Sequence, residues 1–196
     1  SKYFYNSILV SSVSIVVVLL LGGTCAYALA RFDFIGVNLI FYIIIGGLLL
    51  SPQAGILSLY RILKTFNIID TRMALILPYI GVRLPFAIFL MRSYFLSFPK
   101  DIEDSALIDG CGVVGIYSRL VVPISRPIFA STAIITAIFV WNEFLFALVF
   151  INNEKMMTIP IGLSNFRDAL VTNYPPLLAS ILVGSLPLII LFLISS

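Results

Sequence analysis

Residues 3–30 read YFYNSILVSSVSIVVVLLLGGTCAYALA, a run that contains no charged side chain. A helix crosses the hydrocarbon core of a bilayer with about 20 mostly apolar residues, so this run is long enough to do so. It is also too long for the apolar region of a secretory signal peptide. The stretch therefore predicts a membrane-spanning helix.

The rest of the chain repeats this pattern. We predict five spanning helices in all, near residues 7–29, 39–59, 73–91, 128–151 and 176–194. Hydrophobic residues make up 61% of the chain and charged residues 11%, whereas about a quarter of a soluble domain is charged. The composition excludes a soluble domain and predicts an all-α membrane protein, a polytopic helical bundle. The net charge of +3 comes from scattered Lys and Arg, which is not the basic patch of a nucleic-acid-binding protein.

Small residues in the first span indicate close helix packing. Gly22, Ala26 and Ala30 recur every four residues, which puts them on one face and lets a second helix approach. Ser180 and Gly184 repeat this spacing in the last predicted span. Chance occurrence in a Gly- and Ala-rich helix is the alternative interpretation.

The longest polar segment lies at residues 92–127, between the third and fourth predicted spans. Ser97 suits the N-cap of a short helix, and Gly110 suits its end because glycine readily adopts the left-handed conformation. An amphipathic helix over residues 113–121 follows, and Pro123 is expected to end it. Such a pair of helices predicts either a docking site for a partner protein or an interfacial helix on lipid headgroups.

The spacing of this segment carries a resemblance to a known family. Asp104-Ser105-Ala106, Gly110 and Leu120–Pro123 match the pattern Glu-Ala-Ala, three residues, Gly, nine residues, Ile-x-Leu-Pro. The segment thus resembles the cytoplasmic loop of binding-protein-dependent ABC importer permeases. Two residues depart from the pattern: Asp in place of Glu shortens the carboxylate arm by one methylene, and Ser in place of Ala adds a hydroxyl.

Four further motifs resemble the carbohydrate-uptake branch, and within it the maltose-type second permease subunit. They are Asn6-Ser7, Ala26–Phe32, Pro85-Phe86 and Trp141–Phe144. The resemblance implies a single transmembrane permease domain over residues 1–196, with a cytoplasmic two-helix coupling loop at residues 93–127. It also implies six spans in the full protein, so we expect this chain to be a fragment that lacks the first span and a short C-terminal tail. Residues 61–72 and 154–175 would then face outward, an orientation that the distribution of Lys and Arg does not decide.

The resemblance implies a role in transport rather than in catalysis. The expected partners are a second permease subunit, two ATP-binding subunits, an extracytoplasmic solute-binding protein and membrane lipid, with no nucleic acid. The expected location is the cytoplasmic (inner) membrane of a prokaryote, in a multi-pass topology. No lysine lies in a Gly-x-x-x-x-Gly-Lys-Ser/Thr phosphate loop, so we expect no enzymatic activity and no cofactor on this chain. ATP and Mg would be bound by the partner ATPase.

Two groups of candidate site residues follow. The coupling of this chain to the ATPase is assigned, from the resemblance, to one set in the loop. That set is Glu103, Asp104, Ser105, Ala106, Asp109, Gly110 and Pro123. A substrate path is predicted from polar and aromatic residues in or near the spans. Those residues are Gln53, Arg83, Trp141, Asn142, Glu143 and Tyr174.

Glu143 is the strongest of the path candidates, because an acid within an apolar span is costly unless it faces the bundle interior. The alternative is that Glu143 pairs with Arg83 and only holds helices together.

Three other functions remain open from the sequence. An importer permease for a non-sugar solute would share the loop pattern. An ion-coupled secondary carrier would use Glu143 and Arg83 as relay groups. A membrane-embedded hydrolase is disfavoured because the chain has no His.

Overall fold

A computed structural model describes residues 2–162 and 164 of the chain. In this part the regular elements are helices, as predicted for an all-α bundle. The α-helices are α1 (Lys2–Arg31), α2 (Val37–Gly46), α3 (Ile56–Thr65), α4 (Met73–Ser97), α5 (Lys100–Ile108), α6 (Val113–Ile116), α7 (Val122–Ile124), α8 (Arg126–Asn142) and α9 (Leu145–Phe150). Short 3₁₀ helices occupy Gly47–Leu49 and Glu154–Met156, and a π-helical turn, Tyr117–Val121, joins α6 to α7.

The two long helices, α1 and α4, run parallel along each other. At one end Arg72 Nη2 donates a hydrogen bond to Asn6 Oδ1 at 3.1 Å. At the other end Arg92 Nε donates to the Leu29 carbonyl at 3.1 Å. Between these points the backbones approach so closely that a Cβ added at Gly22 would lie 3.1 Å from the Ala87 Cβ. The small-residue face predicted on α1 therefore packs on α4.

The helix α8 runs antiparallel to both. Its start lies beside the end of α4, where the rings of Phe129 and Phe95 are 6.4 Å apart. Beyond its end, Glu143 accepts a hydrogen bond from Tyr79 near the start of α4. The loop end of the molecule is defined here as the end that holds Arg31 and α5. The opposite end holds Asn6, together with Arg72 and residues 152–157.

Two helices of the described part, Lys2–Arg31 and Met73–Ser97, are long and apolar enough to cross a membrane. A third crossing is available if the pair Val113–Ile124 and Arg126–Asn142, bent by 74°, counts as one span. The first and third predicted spans coincide with the two long helices. The fifth predicted span, with Ser180 and Gly184, lies outside the described residues.

The second predicted span, residues 39–59, is not one helix. The helical run of Val37–Leu49 ends at Leu50, whose backbone is extended, and α3 begins only at Ile56. Pro52 is consistent with the break, since proline disfavours helical geometry in the residue before it, here Ser51, and has no amide hydrogen to continue the helix. The prediction took the apolar character of this stretch as evidence of a continuous helix.

The fourth predicted span, residues 128–151, is also divided. The helix α8 ends at Asn142, Glu143 takes an extended backbone, and α9 restarts at Leu145. The Glu143 carboxylate accepts hydrogen bonds from the free amides at the start of α9. These bonds favour a second helix start over a continuous helix.

The polar segment between α4 and α8 contains α5 and α6, and the predicted helix over residues 113–121 is divided into α6 and the π-helical turn. Two predicted boundaries also need correction. Pro99, not Ser97, precedes the first residue of α5. Ser97 is the last residue of α4, and its hydroxyl donates to the Tyr94 carbonyl at 2.7 Å. Pro123 does not end the second helix but lies within the first turn of α7, where the missing amide hydrogen is tolerated.

Each end of the bundle has its own apolar core. The core at the opposite end centres on Leu75, Tyr79 and Phe150, and that at the loop end on Met91 and Phe95. Many other large apolar side chains are exposed. Examples on α1 and α2 are Leu20, Leu21, Tyr42 and Ile43. Such a surface fits contact with lipid or with other membrane helices rather than with water.

Candidate functional site

The helix α5 forms a protruding element at the loop end. Its residues are exposed except for Glu103, which is buried, and Ala106, which is half-buried against the core at the loop end. Asp104, Ser105 and Asp109 are exposed, and the Ser105 hydroxyl donates to the Asp101 carbonyl of its own helix at 2.7 Å. This part of α5 is therefore free to contact another protein.

Gly110 ends α5 in the left-handed conformation, with φ +84°. Its amide donates to the Leu107 carbonyl at 3.0 Å, and the amide of Cys111 donates to the Ala106 carbonyl at 3.0 Å. These bonds satisfy carbonyls that would otherwise be free at the helix end. Because a side chain at this φ is strained, glycine fixes the sharp turn between α5 and α6.

The exposed face of this loop is apolar as well as acidic. Leu107 is 59% exposed, Ile108 86% and Val114 80%. Pro123, the last predicted coupling residue, is half-buried and belongs to α7. An apolar ridge with carboxylates beside it is suited to a protein partner, since exposed apolar patches commonly mark interaction sites.

Glu103 turns in the opposite direction from Asp104 and is bound by α1. Arg31 Nη2 lies 2.6 Å from Glu103 Oε1, and Arg31 Nε donates to the same oxygen at 2.8 Å. Tyr27 donates its hydroxyl hydrogen to Glu103 Oε2 at 2.9 Å. Arg31 also donates to the Phe98 carbonyl at 3.1 Å. Sequence reasoning placed Glu103 with the coupling residues but did not find Tyr27 or Arg31, which lie in a distant helix.

The predicted path residue Glu143 lies at the junction of α8 and α9. Its carboxylate accepts from the Tyr79 hydroxyl at 2.8 Å and from the amides of Phe146 at 2.9 Å and Ala147 at 3.3 Å. A negative charge at a helix N-terminus is favourable because it meets the free amides and the positive end of the helix dipole. Glu143 thus has an observed structural role as the cap of α9.

Arg83 does not pair with Glu143. Its guanidinium lies over two rings, 4.7 Å from the centre of Phe86 and 4.9 Å from that of Phe139. Nε and Nη2 are buried, and neither has a hydrogen-bond partner among the described residues. The rings supply favourable electrostatic contact but no acceptor for these two nitrogens. The pairing considered from the sequence is therefore wrong for this structure.

The other path candidates are dispersed. Trp141 is 8% exposed and packs edge-on against Phe4, with 6.0 Å between ring centres. Asn142 is exposed and donates to the Ile138 carbonyl in its own helix. Gln53 lies in the turn between α2 and α3 and accepts from the Ser51 hydroxyl at 2.8 Å. Tyr174 is outside the described residues.

A polar junction at the opposite end was missed by sequence reasoning. Asn6, 1% exposed, donates to the carbonyls of Lys155 at 2.8 Å and Met157 at 3.1 Å, while its oxygen accepts from Arg72. It therefore joins α1, the start of α4 and the segment after α9. A cleft of about 380 Å³ opens beside it, lined by Lys2, Tyr5, Asn6, Arg72 and Lys155. The sequence marked Asn6 only as part of a motif and as an amide side chain in an otherwise apolar run.

Asp70 makes a second connection at the opposite end. Its carboxylate accepts from the amides of Asn152 and Asn153, and its own amide donates to the Phe150 carbonyl at 3.1 Å. Partial burial raises the pKa of Asp70, but the two amide hydrogen bonds outweigh it and hold the pKa below its ordinary value. The end of α9 is thereby fixed to the connection between α3 and α4.

No group of three or more His, Cys, Asp or Glu residues that could hold a metal ion occurs in the part of the chain that the structure covers. Cys25 and Cys111 are both free thiols.

Comparison with known proteins gives a family match along nearly the whole chain. A family profile described as "binding-protein-dependent transport system inner membrane component" matches residues 7–196. The probable ABC transporter permease protein YurM of Bacillus subtilis (strain 168) is 44% identical over 194 residues, which are 99% of this chain and 65% of that protein. The diacetylchitobiose uptake system permease protein NgcG of Streptomyces coelicolor is 35% identical over 193 residues, 97% of this chain and 64% of that protein.

Two further relatives extend the comparison. The arabinooligosaccharides transport system permease protein AraQ of Bacillus subtilis (strain 168) is 34% identical over 192 residues, covering 98% of this chain and 68% of AraQ. A crystal structure of a bacterial ABC transporter involved in the import of the acidic polysaccharide alginate matches with a TM-score of 0.78 and 24% identity, over 98% of this chain and 72% of that one. The structural match shows that the fold is shared. The chain spans about two thirds of the length of these relatives.

Proposed function

The chain belongs to the family of inner membrane components of binding-protein-dependent transport systems, and from this we propose that it is a permease subunit of an ATP-driven importer. The proposed cargo is a sugar or oligosaccharide delivered by an extracytoplasmic binding protein. The observation that carries the proposal is the exposed loop of α5, Gly110 and α6, whose outward face is available to a partner at one end of a membrane bundle.

The proposed division of labour puts ATP hydrolysis on a separate subunit. Asp104, Ser105 and Asp109 would contact that ATPase, with Ala106 and Gly110 shaping the helix and its turn. ATP and Mg would be bound by the ATPase, for which this chain offers no phosphate loop. The assembly would contain a second permease subunit and two ATP-binding subunits, with lipid around the bundle in a prokaryotic inner membrane.

The choice of a sugar rests on the relatives. NgcG is named for diacetylchitobiose uptake and AraQ for arabinooligosaccharide transport. We propose the seam between α4 and α8 as part of the solute path. It contains Glu143 with Tyr79, and Arg83 and Phe139 lie one helical turn closer to the loop end. Polar groups beside aromatic rings provide hydrogen bonds and apolar contact for a sugar. Trp141, Asn142, Gln53 and Tyr174 remain proposed contributors.

The test is purification of the full-length protein from its native membrane in mild detergent, with mass spectrometry of the proteins that accompany it. We expect a second permease and an ATP-binding subunit, and we expect Gly110→Val to release the ATPase or uncouple it from uptake. Gly112→Val is the matched control, because Gly112 has an ordinary backbone, with φ −71°, and open space around it. Normal uptake by Gly110→Val would remove the coupling role of the turn. A chain that purifies alone and moves solute without ATP would favour an ion-coupled carrier.

A further inference from the structure

The helix α5 is attached to the rest of the chain mainly through one buried carboxylate. Seven of its nine residues are exposed, Ala106 is half-buried, and Glu103 alone is buried. Both oxygens of Glu103 are bonded to α1, where Tyr27 and Arg31 are one helical turn apart. We call Tyr27, Arg31 and Glu103 the clasp. Since little apolar surface of α5 is buried, the clasp supplies most of its fixed contact with the bundle.

The clasp also contacts the junction at which α5 begins. Arg31 Nη2 bonds both Glu103 and the Phe98 carbonyl at the junction of α4 and α5. Its side chain is 7% exposed and that of Glu103 is 10% exposed. Removing one member of a charge pair this well buried is destabilising, because the other charge then stays buried without a partner. Arg31 therefore fixes both the position of α5 and its direction of departure from α4.

The helix that carries the clasp extends to the other end of the molecule. It has 30 residues and a length of about 45 Å at about 1.5 Å per residue. Near its start, Asn6 binds Arg72 and the carbonyls of Lys155 and Met157. In between, α1 lies against α4 at the close contact of Gly22 and Ala87. One continuous helix thus joins α5 to the polar junction at the opposite end.

We propose that Tyr27, Arg31 and Glu103 are positioning residues that transmit displacement of α5 to α1, and through α1 to the segment at the opposite end. The inference rests on the proposed function, which makes α5 the contact with an ATPase. Glu103 acts by holding α5 to the bundle, while Asp104, beside it, faces outward. A bond between two charged groups suits this task because it resists both separation and rotation of the helices.

The experiment uses the whole importer in lipid nanodiscs, with the ATPase and the second permease identified in the purification above, and with its solute-binding protein added separately. The measured quantity is the ratio of ATP hydrolysis with and without the binding protein, which reports communication between the two ends without a transported solute. We expect Arg31→Leu and Glu103→Gln to assemble with the ATPase and hydrolyse ATP. The stimulation ratio should fall at least about fivefold, the lower range of typical coupling between sites. Tyr27→Phe removes one hydrogen bond and should have a smaller effect.

Two variants separate a positioning role from a purely structural one. The exchange Arg31→Glu with Glu103→Arg should recover stimulation that Arg31→Glu and Glu103→Arg each lose when made singly. Arg126→Glu makes the same change of charge at an exposed position near the loop end and should leave stimulation unchanged. Full stimulation in the single variants, or an exchange as impaired as the two single changes combined, would overturn the proposal. If the single charge variants fail to accumulate, Tyr27→Phe and the exchange are compared instead. Wild-type stimulation in Tyr27→Phe together with no stimulation in the exchange would overturn the proposal.

The outcome for the wild-type complex keeps the two proposals apart. An unmodified complex without any ATPase partner, or without stimulation by the binding protein, contradicts the proposed function. If the binding protein stimulates the wild-type complex and the clasp variants to the same extent, only the proposal about the clasp is contradicted.

Discussion

Glu103 and Asp104 are consecutive acids with opposite surroundings. Glu103 points into the bundle and is bound by Tyr27 and Arg31, while Asp104 is exposed. Successive residues of a helix are separated by about 100°, so one can be buried while the next faces solvent or a partner. Their roles differ accordingly: the first fixes the helix in place and the second is available for contact.

Glu143 offers a test of the proposed path at the scale of one residue. Glu143→Gln keeps the size of the side chain but only one oxygen acceptor, so the bond from Tyr79 or those from the α9 amides must weaken. We expect lower uptake of a labelled sugar that the wild-type complex transports, measured in vesicles that contain the assembled complex. Tyr79→Phe, which leaves the amide bonds in place, should reduce uptake less. Unchanged uptake of each substrate that the wild type transports would mean that Glu143 only caps α9.

At the scale of elements, the breaks in the second and fourth predicted spans have two different causes. The break after Leu49 lies beside Pro52, which restricts the backbone of Ser51 and has no amide hydrogen to continue the helix. The break between α8 and α9 depends on Glu143, whose carboxylate needs both a hydroxyl from α4 and the amides of α9. A proline is visible in the sequence, whereas the second cause requires the neighbouring helix.

The packing of α1 on α4 is testable by substitution at its closest point. Gly22→Leu would drive a branched side chain into Ala87, where even a Cβ lies 3.1 Å from the neighbouring methyl carbon. We expect a loss of stability of about 1–3 kcal/mol, the usual cost of overpacking. Gly81→Leu is the control, because Gly81 lies in α4 with no atom within 4 Å of the added Cβ. Thermal unfolding of the purified protein in detergent measures both, and equal midpoints would refute the close packing.

At the scale of the whole molecule, polar contacts concentrate at the two ends. The clasp holds α5 at the loop end, and Asn6 and Asp70 hold the connecting segments at the opposite end. Apolar side chains cover much of the helices between them. This distribution suits a bundle that crosses a bilayer, since unsatisfied polar groups are costly in hydrocarbon.

The orientation implied by the resemblance, with the loop end on the cytoplasmic side, can be tested on the whole molecule. In a Cys25→Ser background, the exposed Cys111 at the loop end should react with a membrane-impermeant maleimide in inside-out vesicles and not in intact cells. Lys155→Cys in a cysteine-free background should show the reverse, because Lys155 is exposed at the opposite end. Permeabilised cells provide the control for access to both positions. Labelling of Cys111 in intact cells would invert the proposed orientation.

The sequence alone determined the membrane character, the two long helices and the glycine turn. These depend on short-range properties: the length of an apolar run and the backbone freedom of Gly110 can be read without knowing any neighbour. The candidate loop was located as the longest polar segment, and the spacing of Asp104, Gly110 and Pro123 gave its resemblance to the permease family. The roles predicted for the loop and path residues stay proposals.

Only the tertiary structure decided which acids are held and by what. Glu103 meets Arg31 across 72 residues of chain, and Glu143 meets Tyr79 across 64. Arg83, expected as a possible partner of Glu143, lies instead between two aromatic rings. The physical reason is that burial of a charge depends on which helix packs beside it, and that choice is made by the contact of whole helix faces rather than by the local sequence.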